Sequence, residues 1–262
     1  MDTTVKPYRE PGFLHDWFLV SELVKRDFKA RYDRSVLGVF WCVLQPTLTM
    51  GLLYAVFSLF FKNAIPNFPL YLISGIVFHQ FFVETTTSAM RSIQENAGLI
   101  AKVKVPLWTY PVTRAVSSFI NFLFALIPLF AVVIATHVPI RPTTALLLYS
   151  AFSMLFFSLG VGLFLAALAV FFHDMKFLWG FACMLFMYVT PVFYPEEVLI
   201  KGHHWMVYFN PLYHMIHFSR MALNGMVPPA TEFVACALFA LVSITFGTLF
   251  FRHLKNKFAL AL

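Results

Sequence analysis

Charge is what this sequence has least of. Only 12% of its 262 residues are Asp, Glu, Lys or Arg, against about a quarter in an ordinary soluble domain. So few charges cannot cover a water-soluble particle of this size. A soluble enzyme, a disordered chain and a nucleic-acid module are therefore excluded, despite a sequence pI near 9.4. Cysteine is also scarce. Cys42, Cys183 and Cys236 lie apart in apolar runs, so they read as small core hydrophobes and imply neither a disulfide framework nor a metal knuckle. The catalytic signatures are missing too: no GxxxxGK followed by Ser or Thr, no GxSxG, no HExxH. Without a phosphate loop this chain does not bind ATP in the usual way.

What is present is apolar length. Hydrophobic residues make up 60% of the chain, Phe alone occurs 33 times, and the mean hydropathy is +0.77. The runs are continuous, not alternating over about ten residues as in an outer-membrane barrel. Six reach roughly the length of a membrane span: 36–61, 68–90, 111–136, 143–171, 177–195 and 229–251. The first is too long for a signal h-region, so no cleaved leader is expected. The expected fold is an all-α integral membrane domain over 1–262, with a cytoplasmic or interfacial piece over 1–35 and six transmembrane helices over 36–262.

Placing the basic residues gives an orientation. Fifteen of the 19 Lys and Arg fall before span one, after spans two and four, and in the tail; Lys62, Arg141, Lys201 and Arg220 fall in the alternate connections. Positive-inside bias then puts both termini in the cytoplasm. The net charge of +7 needs no acidic ligand.

Three pieces are amphipathic without spanning. Residues 13–33 put Glu22, Lys25, Arg26, Lys29 and Asp33 on one helical face and Leu14, Trp17, Val24, Phe28 and Tyr32 on the other, the division of a helix lying among headgroups. It reads equally as an anchor or as a receiver of substrate. After span two, Asn96–Gly98 breaks the helix and Leu99–Val105 forms a short amphipathic turn with Lys102 and Lys104. This stub projects as a docking element, because Leu99, Ile100, Val103 and Val105 have no reason to sit in water. Between spans five and six, 191–224 are too apolar for a free loop and too short to span. Re-entrant or interfacial helices backed by protein are expected there.

Polar residues inside apolar spans default to functional candidates. Gln80, Glu84, Ser88, Arg91 and Glu95 make one stripe; Arg114, Ser117, Ser118 and Asn121 make a second. Glu84 or Glu95 pairing with Arg114 gives an ion pair that locks two helices; lining of a hydrated path is the other reading. Ser158, Gly162 and Ala166 read as close helix packing. His203, His204, His214 and His217 have few acidic neighbours, so hydrogen bonding is expected and metal is not.

Two segments together carry a family pattern. VKRDFKARYDRSVLGVFWCVLQP (24–46) resembles the approach to the first span of type-2 ABC exporter permeases, in the polysaccharide subgroup that exports O-antigen and teichoic acid. NAGLIAKVKVP (96–106) is similar to that family's coupling segment, and TPVFYP (190–195) with Asn210-Pro211 looks like its outer gate. The resemblance implies a homodimer of permeases with two copies of a nucleotide-binding ATPase subunit. ATP and Mg would belong to that partner, and this chain would carry no cofactor, no metal and no catalytic residue. Ile93, Asn96, Leu99, Ile100, Lys102, Val103, Lys104 and Val105 would couple to the ATPase. The implied substrate is a glycan on a polyprenyl diphosphate lipid in the bacterial cytoplasmic (inner) membrane. Arg31 and Arg34 are the candidates to attract its diphosphate; snorkelling to membrane lipid phosphates is the alternative. Phe40, Trp41, Tyr188 and Tyr194 are the candidate glycan path. A permease of the same fold exporting a drug or lipid is the competing reading.

Overall fold

The computed structural model describes residues 13–32, 37–61, 64–100, 105–200 and 204–260, and among these the chain is helical with no strand. The helices in order are α1 Phe13–Tyr32, α2 Trp41–Phe61, α3 Phe68–Glu95, α4 Ala97–Ile100, α5 Thr109–Ala135, α6 Leu147–Phe171, α7 Met175–Val189, α8 Glu197–Ile200, α9 His204–Tyr208, α10 Pro211–Leu223 and α11 Ala230–Leu254. Short 3-10 turns lead into α2 and α6 and follow α11.

Among the described residues, four segments are long and apolar enough to cross a membrane: Gly38–Phe61, Thr109–Ala135, Pro142–Phe171 and Ala230–Leu254. The other two expected spans depart from the simple pattern in opposite ways. The third helix is long, 28 residues, but carries the polar stripe that lowers its hydropathy. The seventh is apolar but has only 15 residues, about 22 Å of helix against a hydrocarbon core of about 30 Å. It stops at Val189 because the Thr190–Pro195 stretch turns there, where a run to 195 was expected.

The polar helix is the centre of the bundle. Leu72, Ile73, Phe78, Phe82, Ala89 and Ile93 of α3 are buried against α5, α6 and α10. Polar groups on a spanning helix are tolerated when they face protein, and here they face α5. The closest helix approach lies elsewhere, between α6 and α11. A Cβ on Gly160 would collide with the Ser243 backbone, and one on Gly247 with the Gly160 carbonyl. These two glycines, more than the expected Ser158–Gly162–Ala166 stripe, set that contact. Gly162 packs on Ala89 instead.

The apolar helices α2 and α7 pack one side on the core and leave the rest bare. In α2 only Pro46 is buried, while Leu48, Leu52, Val56, Leu59 and Phe60 are exposed. In α7 only Cys183 is buried. Pro46 removes the amide that would bond the Cys42 carbonyl. Thr47 and Thr49 hydroxyls donate back to the carbonyls of Val43 and Gln45, at 2.6 and 2.8 Å.

Candidate functional site

The two polar stripes meet along the second half of α3. Arg114 of α5 donates to Glu95 at 2.8 Å and lies 3.3 Å from Asp27 of α1. Ser88 and Ser118 hydroxyls are 3.4 Å apart. Asn121 Nδ2 donates to Glu84 Oε1 at 2.6 Å. Glu84 does not reach Arg114; its cation is Arg31, whose Nη1 donates to the same Oε1. Tyr32 closes the ring by donating its hydroxyl to Asn121 Oδ1 at 3.0 Å.

Beside this network lies a cavity of about 540 Å³, lined among others by Arg31, Trp41, Gln45, Gln80, Glu84 and Asn121. Its wall combines a guanidinium, a carboxylate and three amides with an indole. That mixture suits a polar guest carrying an anionic group, since guanidinium forks match phosphate and carboxylate geometry. Helix α1 is also fastened to the turn between α3 and α4. Arg26 Nη2 donates to Asn96 Oδ1 at 2.9 Å, and Asn96 Nδ2 donates to the Ser92 carbonyl at 2.8 Å.

A second polar cluster sits at the other end of α3. Asn210 caps α10, its Oδ1 accepting from the amides of Leu212 and Tyr213, while its Nδ2 donates to Thr190 Oγ1 at 2.9 Å. An Asn cap followed by Pro at the first helical position is a strong helix start. Along α10, Arg220 is 6% exposed. Its guanidinium donates to the carbonyls of Pro191, Tyr71 and Val192 at 2.9, 3.1 and 3.2 Å and lies 3.4 Å from the centre of the Tyr71 ring. Tyr71 donates its hydroxyl to the carbonyls of Pro191 and Tyr194. Glu196 accepts from Tyr213 at 2.8 Å and pairs with His217 at 3.0 Å. His214 pairs with Glu232 at 2.9 Å.

Burial pushes the Glu196 carboxyl up, but the His217 and Tyr213 hydrogen bonds and the Arg220 charge outweigh it and leave it below its usual range. Burial pushes the His214 imidazole down, and its bond to Glu232 reverses that and leaves it raised. His214 and His217 are thus paired with carboxylates; His203 and the His204 side chain lie outside the described residues, and no group of three or more potential metal ligands occurs among the described residues.

The sequence candidates divide accordingly. Arg31 and Glu84 meet; Arg91 is exposed; Arg114 joins Glu95 and Asp27. Ile93 corrects an expectation. It is 0% exposed inside the cluster formed with Ala166, Val170 and Phe251, because α3 continues through it to Glu95, so it presents nothing to a docking partner. Asn96 is buried against α1. Leu99 and Ile100 are half-buried, Ile100 packing on the same cluster, and Val105 is half-buried too. Lys102, Val103, Lys104 and Arg34 lie outside the described residues. Phe40 and Trp41 are exposed at the start of α2, and Tyr188 is exposed at the end of α7. Tyr194 is half-buried and donates to the Tyr188 carbonyl at 2.6 Å. Sequence reasoning missed Asp27 and Glu232 as partners and took Arg220 as an amphipathic face residue. Arg220 shares its face of α10 with Tyr213, His217 and Asn224, so the sequence carried no signal that set it apart.

The chain matches the ABC-2 type transporter family over residues 19–224. It is 29% identical over 252 residues to the O-antigen export system permease protein RfbA of Klebsiella pneumoniae, covering 95% of each chain. The protein of the same name in Myxococcus xanthus is 28% identical over 251 residues, covering 92% of this chain and 94% of that one. The polysialic acid transport protein KpsM of Escherichia coli is 23% identical over 245 residues, covering 92% and 95%. This chain belongs to the ABC-2 type transporter family.

Proposed function

We propose that this ABC-2 type chain is the permease subunit of an exporter that moves a polysaccharide, carried on a polyprenyl diphosphate lipid, across the bacterial cytoplasmic membrane. ATP hydrolysis belongs to a separate subunit. The observation that carries this reading is the cavity beside α2, whose largely apolar wall is set with Arg31, Gln45, Gln80, Glu84 and Asn121 and flanked by a helix that buries only Pro46. A hydrophilic polymer needs a hydrated path with an anion receiver at its mouth, and half of such a path is what one copy offers. The names of the similar proteins support the polysaccharide as cargo.

In this reading α2, α3, α5, α6, α7 and α11 cross the membrane with both termini in the cytoplasm. The short α7 is completed by the turn and by re-entrant α8–α10. Two permease copies face each other across the bare apolar sides of α2 and α7, and each docks one of two ATPase copies through the segment containing α4. A push on that segment travels to α1 through Arg26–Asn96 and Asp27–Arg114–Glu95. It thereby reaches Arg31, five residues further along α1. Phe40, Trp41, Tyr188 and Tyr194 offer rings for sugar stacking, and Arg31 with Arg34 receives the diphosphate.

Reconstitution with the ATPase subunit in proteoliposomes tests the reading. ATP-dependent enclosure of a lipid-linked glycan supports it. ATPase activity stimulated by small amphiphiles, with no glycan moved, would assign a drug or lipid as cargo instead. Alanine at all four aromatics should slow polymer transport; intact transport removes stacking from the mechanism.

A further inference from the structure

We infer that Glu84 is a built-in counter-anion that occupies the Arg31 site until a phosphate-bearing headgroup displaces it, and so sets which ligands the site accepts. The inference rests on the proposed cargo, because it names how the diphosphate is admitted.

Three observations carry it. First, Arg31 and Glu84 line one cavity and neutralise each other there, so the wall carries no net charge from this pair and a second anion gains little while the pair persists. Secondly, the described clasp is single-pronged: Arg31 Nη1 meets one oxygen, Oε1, and Asn121 Nδ2 converges on that same oxygen. A phosphate group can take a guanidinium by two parallel bonds, a better match than the clasp it replaces. Thirdly, the Glu84 carboxylate has somewhere to stay. Asn121 sits on buried α5 positions, is oriented by the Tyr32 hydroxyl on its Oδ1, and holds Oε1 at 2.6 Å. When Arg31 turns to an incoming phosphate, the carboxylate keeps a hydrogen bond.

Exposure fits an exchange more than a fixed strut. The Arg31 and Glu84 side chains are 39% and 33% exposed, so water and ligand reach both. A weakly basic monatomic anion such as chloride, which offers no pair of oxygens for two parallel bonds to the fork, fails to displace the carboxylate. Glu84 thus raises the threshold for every anion by one factor, so that only those that grip the guanidinium fork tightly are held.

The test uses the intact permease in nanodiscs, with inorganic pyrophosphate, polyprenyl diphosphate and phosphatidylglycerol as separate probes. Glu84→Gln keeps the shape and an acceptor for Asn121 while removing the charge. It should bind pyrophosphate, polyprenyl diphosphate and phosphatidylglycerol each about tenfold more tightly. Arg31→Gln should bind all three weakly, and Arg31→Gln/Glu84→Gln should show no gain over Arg31→Gln. Unchanged or weaker diphosphate binding by a folded Glu84→Gln protein overturns the inference. So does a gain that persists in the double variant, since it would not act through Arg31. A gain only for phosphatidylglycerol also overturns it, because membrane lipid would then be the competitor. Binding is measured without transport, so loss of glycan export with the predicted binding pattern would count against the cargo and not against Glu84.

Discussion

The two ends of α3 hold their cations in different ways. Near Glu84 the cation is Arg31, partly exposed, bound to a side-chain carboxylate on another helix and next to a large cavity. Near Tyr71 it is Arg220, buried and bound to three backbone carbonyls even though a cleft of about 270 Å³ lined by Glu196 and His217 adjoins it. A carboxylate can swing away or be replaced by a ligand. Carbonyls cannot be replaced without moving backbone. One end is built to exchange partners, the other to fix the Thr190–Pro195 turn against α3 and α10.

The largest effect should therefore come from the fixed end. Arg220→Gln leaves the Pro191, Val192 and Tyr71 carbonyls short of a charged donor and should cost about 3 kcal/mol. It would be read as a large fall in melting temperature of the purified protein. Gly75→Ala attacks the same joint from α3. Its Cβ would lie 2.8 Å from Arg220 Nη2 and 3.2 Å from the Val192 carbonyl, so a loss of about 1–3 kcal/mol is expected. If either variant melts like the parent, the fixed end is not fixed by Arg220. Asn210→Ala removes a cap and the bond to Thr190, and should cost about 1 kcal/mol in the same assay.

At the exchanging end stability should barely move. Arg31→Gln should shift unfolding by about 1 kcal/mol or less, as for other partly exposed pairs, while reducing glycan export sharply. A variant that unfolds readily would erase the contrast between the two ends.

The smallest effect is a pH dependence confined to the α10 side. Glu196 is depressed, so its contribution is present above the ordinary carboxylate range and is lost as pH falls through its lowered value. His214 is raised, so its contribution is present on the acid side and is lost as pH rises through its elevated value. Melting temperature should pass through a shallow maximum between the two. Replacing Glu196 by Gln should flatten the acid limb alone.

Much of this was readable because bilayer physics is written in long runs. The four helices that qualify as spans were all found within a few residues, and the stripe periodicity put Glu84 and Asn121 each on the polar face of its own helix. What sequence spacing could not supply was pairing between distant helices. Glu84 and Glu95 both repeat at helical spacing facing Arg114, and only the approach of α1 gives Glu84 to Arg31 and brings Asp27 to Arg114. Ile93 was misplaced for a local reason: an apolar residue near a helix end reads the same whether it faces a partner or the core. Arg220 was hidden by its charge, since nothing in a linear reading distinguishes a snorkelling arginine from one bound to carbonyls.

The central claim is tested most directly by glycan movement itself. Inverted proteoliposomes containing this permease and its ATPase subunit, supplied with polyprenyl diphosphate-linked polysaccharide and ATP, should enclose the glycan against a glycosidase added outside. Without ATP, or with Arg31→Gln, the glycan should remain exposed. Full digestion in the presence of ATP hydrolysis by the intact complex would contradict the account.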